Sequence, residues 1–134
     1  MKVKCISNTS NSLSEKVEYP KNYHCESLVI EQIYNVYSIG NWDNYMFYLL
    51  KVDHQDSDLN LDPVWFPYEW FEITEHKIPD SCYFNFIGEP MREQISTIVG
   101  YKEIVLNYDH HYGIIEREKE HLDLFYKMKA SFDK

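Results

Sequence analysis

The sequence predicts an α+β fold, with a small antiparallel, barrel-like β meander followed by a helical C-terminal part packed on it. Three observations carry this. Short runs rich in Val, Ile, Tyr, Phe and Trp alternate with turn-forming clusters through the first two thirds of the chain, the pattern of a compact β unit. Aromatic residues reach 16%, supplying large side chains that suit strands and contact surfaces alike. From Ile114 onward the apolar residues recur at helical spacing.

Taken in order, Val3 and Cys5 alternate with Lys2 and Lys4, which predicts a short opening strand with one face inward. The polar stretch from Ser7 to Asn22 reads as a long loop. Leu28 to Ile39 and Tyr45 to Val52 are two dense β-forming runs around Gly40-Asn41-Trp42-Asp43-Asn44, and together they predict a hairpin. His54 to Asp62 is a second polar connector. Pro67 cannot sit in a central strand, so Val64 to Phe66 is expected to be short or on an edge. Tyr68 to Ile73 reads as a turn into another strand, and Cys82 to Ile87 as a further short one.

After Gly88 the pattern changes. Pro90 suits a first helical turn, Met91, Ile95 and Ile98 share a helical face, and Gly100 supplies a stop, so a short helix is expected there. Tyr101 to Tyr108 then reads as a strand and Asp109 to Gly113 as a connector. Ile115, Leu122, Phe125 and Met128 define a terminal helix, supported by an Asp123/Lys127 pair four residues apart. No internal repeat or composition break divides the 134 residues. The expectation is one domain over 1–134, with a β-rich unit over 1–88 and a helix-strand-helix extension over 89–134.

The formal charge is −9, from 13 basic and 22 acidic side chains, and this repels the phosphate backbone that supplies most nucleic-acid affinity. Between Asn41 and Asp80 stand nine acidic residues and two lysines, a composition that attracts a basic protein partner. The three cysteines are widely spaced, without a Cys-x-x-Cys pair, which fits a reducing cytoplasm better than a disulfide framework or structural zinc. No signal-peptide core or membrane-length apolar run occurs. A soluble cytoplasmic protein without a cofactor is the expectation.

Two constellations are candidate sites. Trp42, Tyr45 and Tyr68 lie at predicted turns and strand ends beside Asp53, Asp56, Asp58 and Asp62. Rigid aromatic anchors flanked by carboxylates would select a basic partner, although most of the nearby aromatics, including Trp65, Phe66 and Trp70, are needed by the core. Asp109, His110, His111, Glu116 and His121 form the other, a set of residue types that can hold a metal for water activation. Their spacing contains no i, i+4 ligand pair. Cysteine nucleophiles and Gly-rich phosphate loops find no local support.

The segments Lys2-Val-Lys-Cys-Ile-Ser-Asn8, Ile33-Tyr-Asn-Val-Tyr37, Val64-Trp-Phe-Pro67 and Phe71-Glu-Ile73 resemble those of small uncharacterised bacterial and phage proteins with a Src-homology-3-like β barrel. The resemblance spans about the first eighty positions and implies a barrel-like unit with a bias toward binding. It carries over no catalytic residue. The leading expectation is therefore a non-enzymatic cytoplasmic protein-binding protein, of the immunity or inhibitor kind, that occludes a basic partner such as a nuclease toxin. A metal-dependent hydrolase acting through the Asp109–His111 region and a self-associating structural or regulatory subunit are the alternatives.

Overall fold

The computed structural model describes residues 1–52, 62–87 and 95–133. Within them the chain forms β1 (Lys2–Cys5), β2 (Ile33–Asn35), β3 (Ser38–Trp42), β4 (Tyr45–Leu50), β5 (Val64–Pro67), β6 (Phe71–Glu75), β7 (Tyr83–Phe86) and β8 (Ile95–Gly100). Three helices follow: α1 (Lys102–Leu106), α2 (Tyr108–Ile115) and α3 (Lys119–Phe132). The strands make two antiparallel sheets, ordered β2-β1-β6 and β5-β4-β3-β8-β7. The α+β class is therefore correct, but the sheets do not close into the barrel expected from the sequence.

The five-stranded sheet has a different core on each face, because side chains alternate across a strand. From β4, Tyr48 and Leu50 enter a cluster with Val3, Cys5, Leu28, Trp70 and Phe71, on the side of the three-stranded sheet. Leu49 enters the other cluster, with Ile98, Tyr101, Ile104, Ile114 and Phe125, on the side of the helices. The β3–β4 hairpin pairs Trp42 with Tyr45. Asp43 and Asn44 between them both have positive φ, 48° and 62°, the conformation of a two-residue type I′ turn. The expected hairpin is thus present, but its first strand is shorter than the sequence suggested. The run from Leu28 to Ile39 changes sheet, since β2 pairs with β1 and β3 pairs with β4 and β8.

Three expectations after residue 94 are corrected. Ile95 and Ile98 lie on a strand, not a helix, and β8 sits inside the five-stranded sheet between β3 and β7. The register shifts opposite Asn41 and Trp42. This β-bulge lets two residues three apart share the helix-facing core, so the spacing imitates a helical face. Residues 101–108, expected as a strand, hold α1, and the expected connector at 109–113 lies within α2. Asn107 explains the second change: its side-chain oxygen accepts from the His110 N–H, capping the first turn. Met91 lies outside the described residues. Among the described residues, no helix is long and apolar enough to cross a membrane.

Candidate functional site

The first candidate site grows out of the β3–β4 turn. Trp42, Asp43, Tyr45 and Phe47 line a cleft of about 210 Å³ together with Lys16, Val17 and Glu18. The Trp42 ring packs edge-on against Phe47 at 5.3 Å, and Phe47 lies 5.1 Å from Tyr45, which lies 5.1 Å from Tyr68. A continuous aromatic wall results. Tyr45 is buried and forms the back of this wall, Trp42 is half-buried, and Tyr68 is exposed.

Glu69 is fixed behind the wall. The Tyr45 hydroxyl donates to its Oε1 at 2.8 Å and the Ser14 N–H at 3.1 Å. Burial works to raise the Glu69 pKa, but these bonds and the nearby Lys16 outweigh it and hold the carboxylate below its ordinary value. The same partnership, added to burial, pushes the Tyr45 hydroxyl well above its ordinary range. Of the predicted acidic group, Asp62 meets Arg117 at 3.4 Å. Asp53, Asp56 and Asp58 lie outside the described residues.

The second constellation does not converge as the sequence suggested. His110 and His111 are both buried but serve different neighbours. His111 stacks on Trp42 at 5.7 Å and meets Trp65 and Tyr108 edge-on or tilted. Its Nδ1 is buried with no hydrogen-bond partner among the described residues. His110 instead sits in a relay. Its Nε2 is 2.7 Å from the Tyr101 hydroxyl and its Nδ1 is 3.1 Å from His121 Nδ1.

One set of tautomers satisfies every member of that relay. Tyr101 donates to His110 Nε2, His110 Nδ1–H donates to His121, and His121 Nε2–H faces Glu120 at 3.4 Å and Glu118 at 3.7 Å. The reverse order would point a lone pair at two carboxylates. Burial lowers the His110 pKa to about 4, aided by His121 and opposed by Glu103. Burial, with His110 adding to it, lowers His111 to about 4 as well. Both are neutral at pH 7.

Asp109 and Glu116 are exposed and join neither histidine. Among the described residues, the group whose ligand atoms do converge is Glu118, Glu120 and His121, within 4.8 Å of one another. Two of these were not singled out in the sequence. They surround the start of α3, where the positive end of the helix dipole opposes a bound cation. The relay joins α2 to α3, with the Tyr101 hydroxyl at its buried end.

Protein-family models, curated proteins and solved structures were compared with this chain, and none of them matches it.

Proposed function

We propose that the protein is a non-enzymatic, cytoplasmic protein-binding protein that occludes a basic partner, in the manner of an immunity or inhibitor protein acting on a nuclease toxin. The observation that supports this reading most is the juxtaposition of a rigid aromatic wall with carboxylates at one strand turn. Trp42, Phe47 and Tyr45 supply area with few rotatable bonds, and Asp43 and Glu18 line the same cleft. Tyr68 extends the wall to its exposed rim. An arginine or lysine side chain entering the cleft would lay its stem on the aromatic wall and bring its charge to the exposed Asp43 carboxylate at the turn. The charge of −9 would speed the encounter over a longer range.

The test begins with affinity capture from the native cell, followed by titration of the captured protein against variants. Asp43→Lys, which reverses the charge beside the cleft, is expected to weaken binding at least about tenfold, and Tyr68→Ala, at the rim of the wall, to weaken it by a smaller factor. Raising the salt concentration should weaken the wild-type complex and affect the Asp43→Lys complex less. Asp109→Lys, an equal charge change on an exposed residue of α2, should leave affinity close to wild type. Equal affinity for all three variants would overturn the assignment of this face.

A further inference from the structure

Among the described residues β7 is an edge strand, with β8 as its neighbour on one side and none on the other. The remaining sheet edges carry features that block further pairing. β6 presents Glu72 and Glu75, which meet Lys4 and Lys2. β5 ends on Pro67, and β2 has only three residues and follows Glu31. Charges, proline and short length are the usual protections of a sheet edge. β7 is also short, at four residues, but Ser81 to Ile87 contains neither a charged residue nor a proline. Its aromatic side chains are also uncovered, with Phe84 65% and Phe86 61% exposed.

The backbone is oriented to match. Ile87 donates to the Ser96 carbonyl across the β7–β8 ladder. By the alternation of an antiparallel pair, Asn85 turns its peptide groups toward β8, while Phe84 and Phe86 turn theirs outward. Asn85 faces the helices, where its Nδ2 reaches toward the Val105 carbonyl. Phe84 and Phe86 therefore project from the opposite face.

We propose that β7 pairs antiparallel with β7 of a second copy of this chain, joining two five-stranded sheets into one. The segment Phe84-Asn85-Phe86 reads the same in both directions about Asn85. A two-fold axis at Asn85 sets Asn85 opposite its counterpart and each Phe84 opposite a Phe86. The outward peptide groups of the phenylalanines then bond each other, and the four rings form one stripe of cross-strand aromatic pairs. Two chains of charge −9 repel, so their contact belongs at an uncharged edge, where a basic partner would find no carboxylate. On the opposite, helix-covered face, Ile87, Leu106 and Tyr108, which border one cleft with Asn85, supply further apolar surface beside the axis.

Sedimentation velocity of the full chain over a wide concentration range should show a monomer–dimer equilibrium. The double change Phe84→Lys with Phe86→Lys should raise the dissociation constant at least about tenfold. Ile33→Lys, at an exposed position on the protected strand β2, should leave it unchanged. A second measurement does not depend on those variants folding. With Cys82 replaced by Ser, Asn85→Cys should form a disulfide-linked dimer under mild oxidation, because such a pair stands about 4.5 Å apart between Cα atoms, within disulfide reach. A strictly monomeric wild-type chain would overturn the proposal. So would a dimer that ignores the phenylalanine changes and fails to cross-link through position 85.

Discussion

The two faces of the five-stranded sheet are built on different principles. Toward the three-stranded sheet, the core is hydrocarbon, thiol and aromatic, and its largest buried side chain, Trp70, donates its indole N–H to the Thr9 carbonyl at 2.9 Å. Toward the helices, the core contains two buried histidines, and Trp65 Nε1, His111 Nδ1 and Glu103 Oε2 have no partner among the described residues. The buried histidines make the helix-facing side responsive to pH and leave the other side insensitive to it. Unsatisfied atoms are not confined to the helix-facing side, since Asn41, opposite Met46 on the other face, has a buried Oδ1 without a partner among the described residues.

The strongest test of this contrast is deletion of a side chain from the insensitive face. Trp70→Ala should lower the unfolding free energy by about 3–5 kcal/mol in denaturant titration, from the cavity and the lost burial together. Next in size is the pH response of the helical face. The folded pKa of His110 and His111 lies below the unfolded value, about 4 against 6.5, so the unfolded chain binds more protons between these limits. Stability should therefore be complete above pH 6.5 and be lost as the pH falls toward 4, by at most about 3 kcal/mol per histidine. Replacing His111 with Phe should flatten part of this slope, read from unfolding curves at several pH values. An unchanged slope would show that His111 is not the group responsible.

A smaller effect separates the two tryptophans directly. Trp70→Phe leaves the Thr9 carbonyl without its donor and should cost about 1–2 kcal/mol beyond the lost ring volume. Trp65→Phe removes an N–H that has no acceptor, and the loss of area should be largely offset. Equal destabilisation by the two changes would remove the distinction between the two tryptophans. The smallest expected effect is at Gly113, where an added Cβ would collide with the His121 ring. Alanine improves helix propensity by roughly 1 kcal/mol, yet displacement of His121 from His110 should make Gly113→Ala a net loss of about 1 kcal/mol. Thermal melts above pH 7 would read it without interference from protonation.

Legibility in the sequence followed how local each structural cause is. Asp43-Asn44 and Pro67 act through their own backbone angles, so the hairpin and the edge position of β5 could be read in advance. The terminal helix was visible for the same reason, through Leu122, Phe125 and Met128, but Ile115, grouped with them by spacing, ends α2, and Arg117 at φ 59° separates the two helices. β8 was misread because its bulge is defined against β3, a partner more than fifty residues away in the chain. α1 was misread because Ile104 and Val105 are β-branched and are held helical by burial. Asn107, followed by Asp109 in the first turn of α2, was a capping signal that could have placed α2. At the site, Trp42, Tyr45 and Tyr68 were visible because they flank turns. The relay was not, since the contact between His110 and His121 exists only once α3 has docked.

The change of sheet between Asn35 and Ser38 also bears on how the molecule folds. One short segment supplies a strand to each sheet, so the two sheets are tied together at this point of the chain. Its neighbours come from far along the chain: β1 waits for β6, and β3 waits for β8. Closing such distant pairs before any reward arrives is slow, and folding in milliseconds to seconds is the corresponding expectation. Tyr37 and Asn35 then bond Asp133 at the end of α3, so the last helix locks onto the same crossing point. Unfolding should accordingly be a single cooperative event, with fluorescence and circular dichroism tracing one coincident transition.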